Sequence, residues 1–160
     1  MTRKKPWNRI NLPVYSISSK NADNGNMNII TYATAISMHP KRYVCGIYLG
    51  TQTLDNVTAS GEFVLQLLAD HQVNLVNLLG KQSGKLISKI PRLAKRKLLV
   101  QWEGHTVLQS CLAVMKMKVI DTMDGGDHKI FLCEVTAYQN LHAGNPLTLD
   151  HLREKKLIRI

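Results

Sequence analysis

The sequence predicts a mainly β protein in which a closed antiparallel barrel carries short helices at its periphery. Several short apolar runs are separated by joints rich in Asn, Asp and Gly, as in sheets built from hairpins. Residues 111–120 alternate between apolar side chains and lysines, which is the pattern of a strand with one buried face. This combination is typical of small antiparallel barrels.

The first half of the chain supplies most of the predicted strands. They cover residues 13–18, 29–37, 42–49 and 62–68. Residues 21–28 have the composition of a hairpin turn, so they are expected to join the first two strands. Thr53 is a suitable N-cap for a helix over 54–60, and Gly61 follows as a stop signal.

The second half of the chain begins with a helical pattern. Apolar residues in 71–80 recur at helical spacing, and this helix is predicted to end at Gly80. A turn at 124–127 separates the alternating strand 111–120 from a returning strand over 128–138. Without an internal repeat or linker, residues 1–160 are expected to form a single domain. A basic N-terminal arm (1–10) and a C-terminal extension (146–160) complete it.

Composition narrows the class of protein. No uncharged apolar run approaches the roughly 18 residues that span a bilayer, and the N-terminal segment lacks the apolar core of a signal peptide. We therefore expect a cytoplasmic protein without a membrane partner. The net charge is +10, and much of the excess lies in residues 81–97, which contain no acidic residue. Such a surface favours anionic partners or is simply a solvated face.

Familiar catalytic and metal-binding signatures are missing from the sequence. It contains no GxSxG, HExxH, GxxxxGK[ST] or GxGxxG motif. The three cysteines, Cys45, Cys111 and Cys133, lie in apolar strand-like runs, where a thiol is usually a small buried hydrophobe. The six histidines show no ligand-like spacing, so no metal site is predicted.

The segment from Asn28 to Val57 is unusually rich in short hydroxyl and methyl side chains. Small side chains let a flat ring lie against a strand while backbone N–H groups point at its heteroatoms. Farther along, the hydroxyls and amides of Thr51 and Thr53 stand at a predicted helix N-terminus, which suits a phosphate. One continuous segment could thus serve a planar ring at one end and a phosphate at the other, although Thr and Ser also serve strands and caps.

Four motifs occur in the order found in the flavin reductase-like family. They are NIITYATAISMHP, RYVCGIYL, TLDNVTASGEFVLQLL and GGDHKIFLCEV. The chain resembles this family over about residues 10–150. The resemblance implies the FMN-binding split-barrel fold, a six-stranded antiparallel barrel of Greek-key type with short peripheral helices. It also implies a homodimer with flavin bound near the subunit interface.

The resemblance also assigns site residues by position. It places Thr31, Tyr32, Ala33 and Thr34 along the isoalloxazine ring and Ser37 near the ribityl chain or phosphate. It places Thr51, Gln52 and Thr53 at the phosphate end of the flavin, with Asn56 in the helix that follows. His128 matches a histidine near the nicotinamide side of the flavin.

The function implied by the resemblance is hydride transfer from NAD(P)H to N5 of a bound flavin, FMN in preference to FAD. A monooxygenase or another electron acceptor is the expected partner. One alternative is a flavoredoxin-like protein that holds FMN as an electron carrier without rapid reductase turnover. A more distant alternative is a basic barrel that binds single-stranded nucleic acid, which would need aromatic stacking platforms in a basic groove. Residues 81–97 contain no aromatic side chain, which argues against it.

Overall fold

The computed structural model describes residues 5–22 and 24–158, in which β structure predominates. The strands are β1 (Tyr15–Asn21), β2 (Asn24–Ile30), β3 (Ala33–Ser37), β4 (Arg42–Tyr48), β5 (Glu62–Leu67), β6 (Leu99–Trp102), β7 (His105–Leu108), β8 (Ala113–Asp124) and β9 (His128–Asn140). The α-helices are α1 (Gln52–Ser60), α2 (Val76–Gly80), α3 (Lys89–Lys95) and α4 (Leu149–Glu154), and 3₁₀ turns cover Pro6–Arg9 and Asp70–Leu75. Residues 1–4 of the expected basic arm and 159–160 of the expected extension lie outside the described residues.

Seven strands form one antiparallel sheet in the order β2-β1-β5-β8-β9-β4-β3, and β6 and β7 form a separate hairpin. The mainly β, antiparallel prediction is confirmed, but the main sheet has seven strands where six were expected. The predicted strand 29–37 is divided between β2 and β3, with Thr31 and Tyr32 between them. Because these two edge strands are joined by only two residues, the sheet must curl to bring its edges together. Its full closure into a barrel stays a prediction.

Both faces of the sheet are buried over much of its area. In β5, Phe63 and Leu65 point into a core cluster with Ile17, Phe131 and Met117. The neighbouring residue Val64 faces the opposite way, into a second cluster that includes side chains from α2, α3, α4 and the β6–β7 hairpin. The period-two alternation of a strand produces this two-sided burial. Burying each large apolar side chain fully contributes roughly 1.5–3 kcal/mol.

The helix α1 begins at a different residue from the one predicted. Its N-cap is Thr51, the Oγ1 of which accepts a hydrogen bond from Leu54 N at 3.2 Å. The prediction of Thr53 as the N-cap is therefore wrong, because Thr53 lies in the first turn and is fully buried. The predicted stop is confirmed, since Gly61 adopts a left-handed conformation with φ of 70° and donates to Val57 O.

Two other predicted elements, a turn and a helix, differ from the structure in length or type. The turn expected over 21–28 is much shorter, because Asn24 already pairs with Asn21 and β2 follows directly. The helix expected over 71–80 ends at Gly80 as predicted, but its first part is a 3₁₀ turn. All three cysteines are buried free thiols, as expected. Among the described helices, none is long and apolar enough to cross a membrane.

The C-terminal extension packs against the rest of the chain. Leu147 and Leu152 are buried in the second core cluster. Thr148 forms an isolated antiparallel β-bridge with Pro13. Its Oγ1 caps α4 by accepting a hydrogen bond from His151 N. This segment thereby contributes one wall of the larger cavity described below.

Candidate functional site

Two adjoining cavities lie beside the junction of β2, β4 and α1. The larger has a volume of about 570 Å³ and the smaller about 260 Å³. They share a boundary formed by Asn28, Ile29, Thr31 and Tyr48, which line both. The larger cavity alone is of the size that holds a small organic ligand, and the smaller lies directly beside it.

The larger cavity has a polar end between two walls. One wall is the start of α1, where Thr51 and Gln52 line the cavity. The other wall is formed by residues 81–85, here called the basic loop, of which 81–84 line the cavity. The first N–H groups of a helix have no intrahelical partner and carry partial positive charge. With Lys81 opposite and no carboxylate among the described lining residues, this end favours an anion.

A second lysine lies beneath this polar end. Lys89 is only 1% exposed, and its Nζ donates to Met27 O at 3.0 Å and Leu79 O at 2.8 Å. Burial lowers the pKa of Lys89 to about 8, which leaves it mostly protonated at neutral pH. Because the side chain also lines the larger cavity, its charge adds to the positive potential there.

A buried acceptor without a partner also borders the larger cavity. Gln82 lines it, and Gln82 Oε1 is buried with no hydrogen-bond partner among the described residues. Leaving such an atom unsatisfied costs about 1–3 kcal/mol.

Three aromatic rings line the smaller cavity. The imidazole of His128 makes edge contacts with Tyr32, at a centroid distance of 4.9 Å, and with Tyr48, at 5.1 Å. His128 Nδ1 lies 2.7 Å from Asp127 Oδ1, so a hydrogen bond also holds this edge of the imidazole. Gly46 lies beneath, where a Cβ would stand 3.4 Å from Tyr32 Cβ and 3.7 Å from His128 Cβ. The absence of a side chain at Gly46 thus leaves this recess open.

The structure brings some of the predicted site residues together and separates others. Those that line the cavities are Thr31, Tyr32, Thr51, Gln52, Thr53 and His128. In contrast, Ala33, Thr34 and Ser37 lie on the edge strand β3 and are not among the described residues that line either cavity. Asn56 is fully buried, and its Nδ2 donates to Ser19 Oγ and Asn24 O. Its side chain therefore ties α1 to the first hairpin.

Sequence reasoning missed the basic loop and Asn26 as parts of the site. The sequence presents residues 81–85 only as part of a long basic segment and Asn26 only as part of a turn, whereas Asn28 also begins the hydroxyl-rich segment. The two glycines and two lysines of GKQSGK were a visible signal for an anion-binding loop. Nothing local in the sequence, however, places that loop opposite α1.

Comparison with known families identifies the chain. The model of the flavin reductase like domain matches residues 7–156, nearly the whole length. The chain belongs to the flavin reductase-like family. No curated protein sequence matches it.

Solved structures of similar fold include flavin proteins of several kinds. The FMN-binding protein from Thermus thermophilus is 18% identical, with a TM-score of 0.77 over 91% of this chain and 84% of that chain. The styrene monooxygenase flavin reductase from Pseudomonas putida S12 is 20% identical, with a TM-score of 0.74 over 87% and 86%. The flavoredoxin from Methanosarcina acetivorans is 16% identical, with a TM-score of 0.73 over 85% and 74%. At these identities the likeness establishes the flavin reductase-like fold.

Proposed function

We propose that this protein is a flavin reductase that binds FMN in the two adjoining cavities and reduces it with NAD(P)H. The observation that carries the proposal is that a cavity with an anion-favouring end adjoins a recess lined by aromatic rings. FMN has the matching chemistry, a phosphate joined through a hydroxylated chain to a planar ring. Membership of the flavin reductase-like family supports the same assignment.

The polar end suits the phosphate and the ribityl chain. Thr51, Gln52, Lys81 and Ser83 would hold the phosphate, since helix N–H groups, hydroxyls and an ammonium are the usual partners of such a group. Gln82, which also lines this end, is assigned to the ribityl chain, because its side-chain amide can hydrogen-bond to a hydroxyl. In this assignment the buried Thr53 supports the helix from within the first turn.

The ring is assigned to the smaller cavity and the strand beside it. Thr31 and Tyr32 line that cavity, and Ala33 and Thr34 continue along β3. Their short side chains leave the backbone accessible to a flat ligand, apart from Tyr32, whose ring packs against His128.

A bound flavin would supply the hydride acceptor, so the protein needs no general acid or base for that step. The residues of this chain have the task of positioning the two rings. His128 borders the smaller cavity and is assigned to hold the nicotinamide of NAD(P)H beside the flavin. Rates of such transfers depend steeply on alignment, and errors of about 1 Å can cost two orders of magnitude.

We propose that the protein works as a homodimer. The edge strand β3 exposes Ile36, which is 53% exposed, and is followed by Met38, which is 89% exposed. Tyr32, at the start of the same edge, is 61% exposed. A second copy that covers this edge would also enclose Ala33, Thr34 and Ser37, which the cavities of one chain leave outside.

The proposal extends to a single flavin-binding domain located in the cytoplasm and to an electron acceptor. A flavin-dependent monooxygenase is the proposed partner, because one similar structure is the flavin reductase of styrene monooxygenase.

Anaerobic absorption spectroscopy tests the reaction. The protein is mixed with FMN and then with NADH or NADPH, and bleaching of the flavin band is compared with that of free FMN. A reductase bleaches bound FMN far faster than the free cofactor is bleached. Failure to bind FMN would contradict the proposal. Bound FMN that neither nucleotide bleaches would favour the electron-carrier alternative.

A further inference from the structure

We propose that Asn26 is a positioning residue that holds the basic loop against α1 and thereby sets the width of the phosphate end of the site. The inference rests on the proposed function, because it assigns Asn26 a role in selecting a phosphorylated flavin. It adds Asn26 to the site as a residue that acts through two others, Thr53 and Gly84.

Asn26 is fixed on the α1 side by a buried hydrogen bond. It lies in β2 opposite Ser19 and is only 3% exposed. Its Nδ2 donates to Thr53 Oγ1 at 2.9 Å, and Thr53 is fully buried in the first turn of α1. A buried amide is costly to leave unpaired, so this bond keeps the side chain of Asn26 in one orientation.

On the other side, the same amide packs directly against the basic loop. A Cβ added at Gly84 would lie 2.8 Å from Asn26 Cγ and 3.0 Å from Asn26 Nδ2, with Oδ1 nearer still. Gly84 has no positive φ, so the close approach alone requires glycine here. The amide of Asn26 therefore spaces the backbone of the loop from the first turn of α1.

A second link joins the same two walls at the surface. Lys85 Nζ lies 3.1 Å from Asp55 Oδ2, with side-chain exposures of 43% and 53%. Exposed ion pairs of this kind contribute little and are screened by salt. Of these two links to α1, the buried contact through Asn26 is therefore the one expected to position the loop, and with it Lys81 and Ser83 at the cavity.

The proposed role of Asn26 affects the binding only of ligands that carry a phosphate. Riboflavin has the same ring and ribityl chain as FMN but lacks the phosphate. If Asn26 sets the phosphate end, Asn26→Ala weakens FMN binding by about tenfold, which corresponds to one displaced charge-assisted contact, and leaves riboflavin within about twofold. Val107→Ala serves as the control, since it removes buried volume in β7 outside the described lining of both cavities.

A double-mutant cycle tests the contact between Asn26 and Gly84 themselves. Gly84→Ala is expected to weaken FMN binding in the wild-type background, because the new Cβ meets the amide. In the Asn26→Ala background the space is free, so the same substitution has a much smaller effect. Fully additive effects of the two substitutions would overturn the proposed contact.

Hydrogen exchange of the ligand-free protein supplies a readout independent of flavin. Amides of residues 81–87 should exchange faster in Asn26→Ala than in wild type, and at the wild-type rate in Val107→Ala. The inference is overturned if this exchange is unchanged, or if Asn26→Ala weakens FMN and riboflavin equally. Wild-type protein that binds neither flavin would contradict the proposed function, while faster loop exchange would still establish that Asn26 holds the loop.

Discussion

The imidazole of His128 packs edge-on against the phenol ring of Tyr48, with centroids 5.1 Å apart and the planes at 71°. These residues are directly opposite each other, since Tyr48 of β4 pairs with His128 of β9. The ring of Tyr32 contacts the same imidazole on a second side. Asp127 Oδ1 lies within hydrogen-bond distance of its Nδ1 on a third side. The imidazole at the edge of the smaller cavity is therefore fixed in place before any ligand binds.

His128→Ala should separate flavin binding from flavin reduction. We expect FMN affinity to stay nearly unchanged, while the rate of reduction by NAD(P)H falls at least several-fold through poorer nicotinamide alignment. Stopped-flow bleaching of the flavin band, together with an FMN titration, measures the two effects. His71→Ala is the control, because His71 is exposed and borders neither cavity. Reduction at the wild-type rate across all NAD(P)H concentrations would limit His128 to a structural role in the turn.

Lys81→Ala should weaken FMN much more than riboflavin. Removing one charge-assisted contact to a phosphate costs about 1.5–3 kcal/mol, or roughly tenfold or more in affinity. The effect should shrink as salt is raised, because the larger cavity is open to solvent. Fluorescence titrations at two salt concentrations measure this, with Lys95→Ala in α3 as the control for net charge. Equal losses for Lys81→Ala and Lys95→Ala would show that only the overall charge matters.

Strong local signals explain which elements were predictable. The stop at Gly61 follows from one residue and is found as predicted. In β8, Met115, Met117 and Val119 share one core-facing side as predicted, but Val114 on the lysine side is also buried, in the second core cluster. The asparagines of β2 suggested a turn, but pairing with β1 and burial of Met27 outweighed their local preference.

The candidate site was only partly predictable for the same reason. Thr51 was predicted because the hydroxyl-rich segment and the predicted helix start adjoin in sequence, and Gln52 was assigned by the family resemblance. The basic loop reaches them through the long-range contact of Gly84 with Asn26. No pattern in one sequence encodes that approach, because the spacing of the two residues carries no periodicity.

Ile36→Lys should disrupt the proposed homodimer. Ile36 lies at the bulge of the edge strand β3 and is half exposed, so a lysine is tolerated in a monomer but costly in an apolar interface. Light scattering at micromolar concentration should show a dimer for wild type and a monomer for the variant. Leu86→Lys, at an exposed position in another part of the chain, is the matched control. A wild-type monomer that binds FMN at full strength would contradict the interface.

His105 should make stability fall in mild acid. Its side chain is buried, and burial lowers its pKa below the usual 6.5, although the carboxylate of Glu62 at 3.0 Å acts in the opposite direction. The unfolded chain therefore binds the proton more readily, so the free energy of unfolding decreases as pH falls below about 6.5.

Urea unfolding at pH 7.5 and pH 5.5 measures this dependence. Wild type should lose more stability between the two values than His105→Gln, which can still donate to Glu62 but does not titrate. His71→Gln, at an exposed position, should behave like wild type. Identical pH dependence in wild type and His105→Gln would rule out the buried imidazole as the cause.

Equilibrium dialysis of the purified protein against FMN tests the central claim most directly. The account predicts saturable binding of one FMN per chain, tighter than that of riboflavin, because the polar end between α1 and the basic loop is matched to the phosphate. Binding that fails to appear at FMN concentrations up to about 1 mM, the upper end of common KM values, would contradict it.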